Sequence, residues 1–345
     1  MGYLLVIVTQ RPSADIVTAS LKTNLPARVA FRLLSHHDSM TILALSILDL
    51  VLSLCYPLFV SSTSYNARCA VLRERVSNNI YVFTSDLYAR VTAGVIVTRE
   101  GAIVVDTLPF PVEAHELAAF VARVCRPGAR YVILTHYHAD HTYGAYLFPQ
   151  ADVVSHARCR RLLIKRGFRA LKEAQAEEPD LDEVTLRLPD ITFDDGEMGL
   201  QLAGKVVRLI HAPGHSPDLV MVYVEDDRVL FASDTVMPVP SIVDGDVAAL
   251  RESLQKVAEL PIENIVQGHG EVILRGEVQD VVKASLAYLD AIEDKVAKAV
   301  ESGKGREALQ RDNVESCGLS RIPLNGLVQQ IHVANLLALY DRRVS

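Results

Sequence analysis

The sequence predicts a mixed α/β (α+β) fold in which two strand-rich halves stack as an αββα sandwich, with helices on both outer faces. Short apolar runs bounded by turn residues recur through residues 79–106 and again through residues 197–232, as expected of strands. Segments with apolar residues at helical spacing, at residues 111–124 and 246–259, follow these runs. Helical patterns after residue 276 predict a C-terminal extension, whereas the start of the chain looks unrelated.

The first half of the sandwich is predicted to begin near residue 79, because the pattern becomes regular only from Val76 onward. The acidic stretch 177–183, which carries Pro179, predicts an exposed loop that could flank a substrate pocket. The predicted strands are residues 79–84, 90–98, 102–106, 131–134 and 152–155, and the predicted helices are residues 111–124, 142–148 and 156–175.

The second half repeats the scheme and ends in helices. Good helix formers in residues 277–302 predict one long helix, which Gly303 and Gly305 end, and residues 323–340 predict a final helix. We therefore place the sandwich in residues 72–275 and the helical extension in residues 276–345. The predicted strands are residues 197–203, 205–211, 219–225, 228–232 and 264–266, with a helix at residues 246–259.

Four polar side chains cluster directly after the apolar run at residues 131–134. They are His136, His138, Asp140 and His141, within six positions of one another. In an extended turn, residues two apart point the same way, so the first two histidines can bind one ion while Asp140 and His141 face a second. Imidazole and carboxylate are ligands that Zn²⁺ prefers. The stretch therefore predicts a metal-binding loop.

Three further candidate ligands, His215, Asp234 and His269, each lie just after another strand-like run. Loops on one edge of a sheet commonly build a site together. The seven residues resemble the metallo-β-lactamase superfamily, whose mark is His-x-His-x-Asp-His followed by a His, an Asp and a His. The resemblance covers residues 72–274 approximately.

This resemblance implies a ligand assignment and a metal content. One metal would be held by His136, His138 and His215, the other by Asp140, His141 and His269, with Asp234 bridging them. Two Zn²⁺ ions are expected, with iron or manganese as alternatives. Asp106 is similar to the family's buried strand-end Asp, which supports the metal loop from behind; a simple turn cap is the other interpretation of this residue.

The ligand set implies a glyoxalase II-like hydrolase in which a metal-bridging hydroxide attacks the carbonyl of a thioester or lactone. Asp140 would orient that hydroxide and help to move its proton. A mononuclear iron persulfide dioxygenase and a class B β-lactamase are the alternatives. Asp234 disfavours the β-lactamase subclass with Cys at that position, and His138 disfavours the di-iron flavoprotein branch, which has Glu. The short interval between Asp234 and His269 disfavours RNA-processing members.

The N-terminal segment has a different character. Residues 1–43 resemble the late part of the motor domain of FtsK-type DNA translocases, but the chain has no G-x-x-x-x-G-K-[ST] phosphate loop, so no ATPase activity is expected. Residues 44–71 combine an apolar run with a polar linker. The run at 42–60 is long enough to span a membrane, but Asp49 near its centre costs about 2.5–3.5 kcal/mol on insertion. Residues 1–71 are predicted to be dispensable.

The composition and charge of the chain limit the class of molecule that it is expected to bind. The net charge is −7, half of the residues are apolar and there is no Trp, which predicts a sizeable core. The acidic body disfavours a nucleic-acid partner and favours a small-molecule substrate. The five cysteines form no Cys-x-x-Cys motif, so free thiols and a cytoplasmic location are expected. The sequence leaves the oligomeric state open.

The other histidines and two tyrosines have weaker interpretations. A structural role is expected for His211, and surface or packing roles are expected for His115 and His156. His332 could fold back from the final helix toward the pocket. Tyr137 and Tyr143 flank the ligands, where each could bond a substrate oxygen or simply pack.

Overall fold

Two mixed β-sheets lie with their apolar sides facing one another. The computed structural model describes residues 71–194, 196–303 and 305–344, which belong to one unit that begins at Arg68. The predictions made for residues 1–43 and 42–60, and for the linker up to residue 70, lie outside the described residues. None of the helices in the described part of the chain combines the length and apolar character needed to cross a membrane.

The first sheet has seven strands that pair in sequence order. The pairs among β1 to β4 are antiparallel, whereas β4, β5, β6 and β7 are parallel. The carboxyl ends of β4, β5 and β6 therefore meet at one edge of the sheet. The strands are β1 (Leu72–Ser77), β2 (Ile80–Thr84), β3 (Thr92–Thr98), β4 (Gly101–Val105), β5 (Ala129–Ile133), β6 (Asp152–His156) and β7 (Ile191–Phe193).

The second sheet has six strands, and all of its neighbours are antiparallel except β11 and β12. Because β10 runs opposite to both β9 and β11, the strands β9, β11 and β12 share one direction and end at one edge. The strands are β8 (Glu197–Leu202), β9 (Lys205–His211), β10 (Val220–Val224), β11 (Val229–Ser233), β12 (Asn264–Gln267) and β13 (Ile273–Leu274).

Helices cover the outer faces of both sheets. Pro111 opens α1 at a position where its missing N–H costs nothing, and Asp246 caps α5 by accepting a bond from the Ala249 amide. The helices are α1 (Pro111–Val124), α2 (Ala139–Thr142), α3 (Ala157–Leu162), α4 (Phe168–Glu177), α5 (Val247–Glu259), α6 (Val278–Glu301), α7 (Gly305–Leu309) and α8 (Leu327–Val344).

The layers have separate apolar cores. Ile96 and Ile103 meet Val222 and Phe231 between the sheets, where Gly94 gives the Phe231 ring its space: a Cβ on this glycine would lie 2.1 Å from the ring. Helix α1 packs on the outside of the first sheet, and α5, α6 and α8 pack with residues of the second. The predicted αββα sandwich with C-terminal helices is confirmed.

Short elements account for most of the differences from the predicted strands. Strand β1 begins at Leu72, before the regular pattern that starts at Val76; its first residues are exposed, and only pairing with β2 makes this edge segment a strand. Strands β7 and β13 were also absent from the prediction. They have three and two residues, too few to show periodicity.

Three predicted helices are divided or shifted. The helix expected at residues 156–175 consists of α3, a π-helical turn at Leu163–Gly167, and α4. The helix expected at residues 142–148 is α2 followed by a 3₁₀ turn, Tyr143–Leu147. The final helix starts at Leu327 rather than residue 323, because Leu324 and Asn325 have left-handed φ angles of 54° and 55°.

The acidic stretch at residues 177–183 is not a plain exposed loop. It contains a 3₁₀ turn, Pro179–Leu181, and the Leu181 side chain is buried with Val184 against Tyr143. An apolar residue within an acidic segment thus anchors the segment to the loop that follows β5.

We expect residues 68–345 to fold without the preceding segment. Val71 is buried in the core beside α1, so a cut before Arg68 leaves that core intact. This chain should give the same melting temperature as the full-length protein in circular dichroism. A chain starting at Asn79 loses β1, leaves β2 as the sheet edge, and should melt at a lower temperature. Unfolded 68–345 beside folded full-length protein would contradict this boundary.

Candidate metal centre

The two sheets deliver loops to the same edge of the sandwich. The loops after β5, β9, β11 and β12 bring together the seven predicted ligands: His136, His138, Asp140, His141, His215, Asp234 and His269. Five of them are buried, whereas His138 and Asp140 are half-buried. The arrangement divides into two groups that could each hold a metal ion.

The first group is three imidazoles and one carboxylate. His138 Nδ1 lies 3.0 Å from His136 Nε2 and 3.0 Å from His215 Nε2. Asp234 Oδ2 lies 3.2 Å from His215 Nε2 and 3.9 Å from His136 Nε2. A single nitrogen carries one proton or one lone pair, so it cannot satisfy both neighbouring rings well. A cation among the three nitrogens can satisfy all of them.

The second group is Asp140, His141 and His269. Asp140 Oδ2 lies 3.3 Å from His269 Nε2 and 3.6 Å from His141 Nε2. Asp234 reaches this group as well, since its Oδ1 is 3.4 Å from His141 Nε2 and its Oδ2 is 3.6 Å from His269 Nε2. The Asp234 carboxylate therefore lies between the two groups.

Two buried atoms in the centre lack a hydrogen-bond partner within the described part of the chain: His141 Nε2 and Asp234 Oδ1. An unsatisfied buried polar atom costs about 1–3 kcal/mol. Both atoms belong to ligand types that bind Zn²⁺, iron and manganese. The residues present therefore fit a divalent metal better than they fit one another.

The outer nitrogens of the histidines are held by other groups. His141 Nδ1 is 2.8 Å from Asp106 Oδ2, His215 Nδ1 is 3.0 Å from the Ser241 carbonyl oxygen, and His269 Nδ1 is 3.0 Å from the Ala89 carbonyl oxygen. Such bonds fix the ring and leave the inner nitrogen free for a ligand. The three Nε2 atoms accordingly face the centre.

Asp106 supports the loop from behind. Its carboxylate accepts bonds from the Thr135 amide and hydroxyl, both 2.8 Å, besides its contact with His141. Burial raises the pKa of Asp106, and the neighbouring His141 lowers it. The backbone of Asp106 has φ 55°, an uncommon value for a residue other than glycine. These contacts favour the supporting role over a simple turn cap.

The tyrosines beside the centre have different surroundings. The Tyr137 hydroxyl is occupied, since it donates to Asp244 (2.5 Å) and accepts from Arg166 (3.0 Å). Tyr143 is buried and packs with apolar neighbours. Tyr88 is exposed, and its pKa is raised to about 12 by the negative charge of Asp140, then by burial and Asp234. The negative charges of the ligand carboxylates thus act on the Tyr88 hydroxyl.

Sequence reasoning missed Tyr88, Arg166 and Asp244. No spacing relates them to the ligand motif, and Asp244 Oδ2 comes within 3.8 Å of His138 Nε2 only through the fold. A cavity of about 140 Å³ beside His138 is lined by residues that include Arg166 and Leu163.

Three other histidines of the described residues, His156, His211 and His332, have partners outside the two ligand groups. The His332 ring is buried between Tyr288 (3.0 Å) and Asp312 (3.3 Å), so it does not make the approach to the pocket that the sequence left open. His211 stacks on His156 at a centroid distance of 4.0 Å, as suits a structural role. Asp312, Cys317 and His332 form a third cluster of possible ligands. Lys295 already neutralises Asp312 at 2.8 Å, so a cation is disfavoured there.

Comparison with known families agrees with this geometry. The model of the metallo-beta-lactamase superfamily matches residues 89–269, more than half of the chain. The chain belongs to the metallo-β-lactamase superfamily. Members of this superfamily typically bind metal ions, and the matched segment contains all seven residues of the centre.

Several curated proteins are similar to this member of the superfamily. The chain spans about half the length of these relatives. A hydroxyacylglutathione hydrolase of Rhodopseudomonas palustris (strain BisB5) is 27% identical over 154 residues, 44% of this chain and 52% of the relative. An atrochrysone carboxyl ACP thioesterase of Cryptosporiopsis sp. (strain 8999) is 25% identical over 206 residues, 59% and 54% of the two chains.

Solved structures share the fold. A metallo-beta-lactamase from Pontibacter korlensis superposes with a TM-score of 0.53 at 19% identity, covering 64% of this chain and 99% of the other. The stereoselective inverting sec-alkylsulfatase Pisa1 from Pseudomonas sp. gives a TM-score of 0.61 at 15% identity, covering 79% and 50%. At these identities the likeness concerns the fold alone.

The Gly268→Ala variant should lose metal because its Cβ would crowd Asp234. A Cβ at this position would lie 1.8 Å from Asp234 Oδ1 and 2.8 Å from the Asp234 amide nitrogen, so the carboxylate must move. Metal analysis of the purified variant should give fewer metal equivalents than the parent protein. Gly276→Ala is the matched control, because its Cβ would meet no atom within 4 Å. Equal metal content in all three proteins would contradict the crowding of Asp234.

Proposed function

We propose that the protein is a two-metal hydrolase that cleaves an acyl bond, with a thioester as the leading substrate class and a lactone as the second. The observation that carries this proposal is the position of Asp234. Its carboxylate lies within 4 Å of ring nitrogens from both ligand groups, as a bridging ligand requires. A mononuclear centre needs only one of these groups.

The proposed ligand assignment follows the two groups. His136, His138 and His215 would hold one metal, Asp140, His141 and His269 the other, and Asp234 would bridge. Zinc is the expected metal, because four-coordinate sites with imidazole and carboxylate ligands suit it. Iron and manganese accept the same ligand types.

The side chains around the proposed metals have separate roles in activating water and binding the substrate. When bound, two divalent metals would supply a water acidic enough to act as a nucleophile at neutral pH and would polarise the substrate carbonyl. Asp140 keeps 15% of its side chain exposed to solvent and faces His269, so it can orient a water molecule beside the second ligand group and take up its proton. Tyr88, whose side chain is exposed, would donate a hydrogen bond to a substrate oxygen.

Relatives support the choice of substrate class. One is named for hydroxyacylglutathione hydrolysis and another as an acyl carrier protein thioesterase, and both names describe release of an acyl group from a carrier.

Cys125, Cys159 and Cys317 are free thiols, which fits the proposed cytoplasmic location. The proposed substrate is a small molecule rather than a nucleic acid.

The Asp234→Asn variant tests the bridge. The amide keeps the shape but removes the charge that offsets repulsion between two cations, so the variant should bind fewer than two metals. Loss of an outer-shell partner already costs about 10–100-fold, so kcat/KM for a thioester should fall by more than about 100-fold. Asp226→Asn, in the exposed turn after β10, is the control. Unchanged metal stoichiometry in Asp234→Asn would refute the bridging role.

Metal removal separates hydrolysis from the alternatives. The protein is first assayed against a panel of thioester, lactone, β-lactam and phosphodiester substrates. Dialysis against a strong chelator should abolish whatever cleavage the panel shows, and two equivalents of Zn²⁺ should restore it. Thioester cleavage should proceed at the same rate without oxygen. Oxygen uptake with a persulfide substrate and one bound iron would instead indicate the dioxygenase, and preferential β-lactam cleavage the β-lactamase. Full activity in metal-free protein would end the proposal.

A further inference from the structure

One loop contacts the outer side of the first ligand group. This loop, residues 239–245, lies within the connection between β11 and α5 and is here called the 239–245 loop. The Ser241 carbonyl oxygen accepts a bond from His215 Nδ1, and Asp244 Oδ2 lies 3.8 Å from His138 Nε2. The loop thus touches the outer nitrogens of two of the three histidines in that group.

The 239–245 loop also packs directly on the backbone that carries His215. A Cβ at Gly245 would lie 1.8 Å from the Gly214 carbonyl oxygen and 2.5 Å from that of His215. The Asp246 amide donates to the same Gly214 oxygen at 2.8 Å. Movement of the loop would therefore move the His215 turn.

The final helix, α8, holds this loop through two side chains. Asn335 is fully buried, and its amide accepts a bond from the Ile242 N–H (2.9 Å) and donates to the Pro240 carbonyl (2.7 Å). The Arg342 guanidinium, further along α8, donates to the carbonyls of Ile242 (3.0 Å), Val243 (2.7 Å) and Gly245 (2.8 Å).

Asn335 is itself fixed from behind. Its amide nitrogen also donates to the Tyr288 hydroxyl of α6 at 3.1 Å, and that hydroxyl is 3.0 Å from His332 Nδ1. His332 Nε2 is 3.3 Å from Asp312, which Lys295 neutralises. A buried polar network whose members are all bonded holds one arrangement strongly. The network therefore gives α8 a fixed position over the loop.

The second ligand group does not depend on this loop for the contacts that hold its rings. His141 is held by Asp106 at the end of β4, and His269 by the carbonyl of Ala89 before β3. Both supports lie in loops that adjoin strands of the first sheet. Loosening of the 239–245 loop should therefore affect the two metal sites unequally.

We propose that the C-terminal helix is a positioning element for the first metal site, acting through Asn335, Arg342 and the 239–245 loop on His215 and His138. This inference rests on the proposed metal binding at the first group. Among the described residues, no hydrogen bond joins Asn335 or Arg342 to a proposed ligand. Both bond instead to the loop whose Ser241 carbonyl accepts from His215 and whose Asp244 lies 3.8 Å from His138 Nε2. The extension is thus part of the metal site and not only a cover for the second sheet.

Metal affinity measured site by site tests this proposal. In a Zn²⁺ competition titration with a chromophoric chelator, Arg342→Ala should weaken one of two equivalents and leave the other unchanged. Because Arg342 acts through the loop, the loss should not exceed the about 10–100-fold that removal of a direct partner of a ligand costs. Arg343→Ala is the matched control, since the neighbouring residue on α8 is exposed and no bond from it to the loop is seen among the described residues. Its two affinities should equal those of the parent.

A second variant distinguishes a specific loss of metal affinity from a loss caused by unfolding. Asn335→Leu removes the amide at similar size and should weaken the same equivalent; if it fails to fold, Arg342→Ala still decides, because Arg342 is exposed at the end of α8. Equal weakening of both equivalents, or of neither, in folded Arg342→Ala overturns the inference. Parent protein that binds no Zn²⁺ would refute the proposed function instead.

Discussion

The charge of the Asp234 carboxylate is the constraint on which the centre depends. This carboxylate is almost fully buried, and a buried charge is expensive unless it is paired. Four imidazoles surround it. Burial by itself lowers the pKa of His269, but the negative charges of Asp234 and Asp140 outweigh it and raise the pKa to about 10. Protons on the histidines or divalent metals can balance the same carboxylates, so metal binding and proton release are linked at this centre.

The strand directions place these groups together. Each sheet contributes a parallel pair, β4 with β5 and β11 with β12, whose carboxyl ends lie at one edge. Two residues at these ends, Asp106 and Ser233, have left-handed φ angles of 55° and 47°. Such conformations cost of order 1–3 kcal/mol each and persist where surrounding contacts over-determine them. Here the contacts are the bonds of Asp106 to the metal loop and the close approach of Gly268 to Asp234.

The two ligand groups have different structural supports. The rings of His141 and His269 are held from the first sheet, whereas the outer side of the His138 and His215 pair is covered by the 239–245 loop and, behind it, by α8. The sandwich alone therefore supplies one group completely, and the helical extension contributes to the other. This difference gives a physical reason for the two proposed metal sites to differ in affinity and in response to mutation.

The sequence by itself determined the layered fold and the seven candidate ligands, because both depend on local patterns. Apolar periodicity is a property of short segments, and four ligands lie within six positions. Tertiary structure alone decided which groups stand behind the ligands. Asp244 lies near His138, and Asn335 accepts a bond from the Ile242 backbone N–H across 93 positions, and no shared period or motif relates the partners. The exposed strand β1 and the turn before α8 also depended on pairing and packing, which no local pattern encodes.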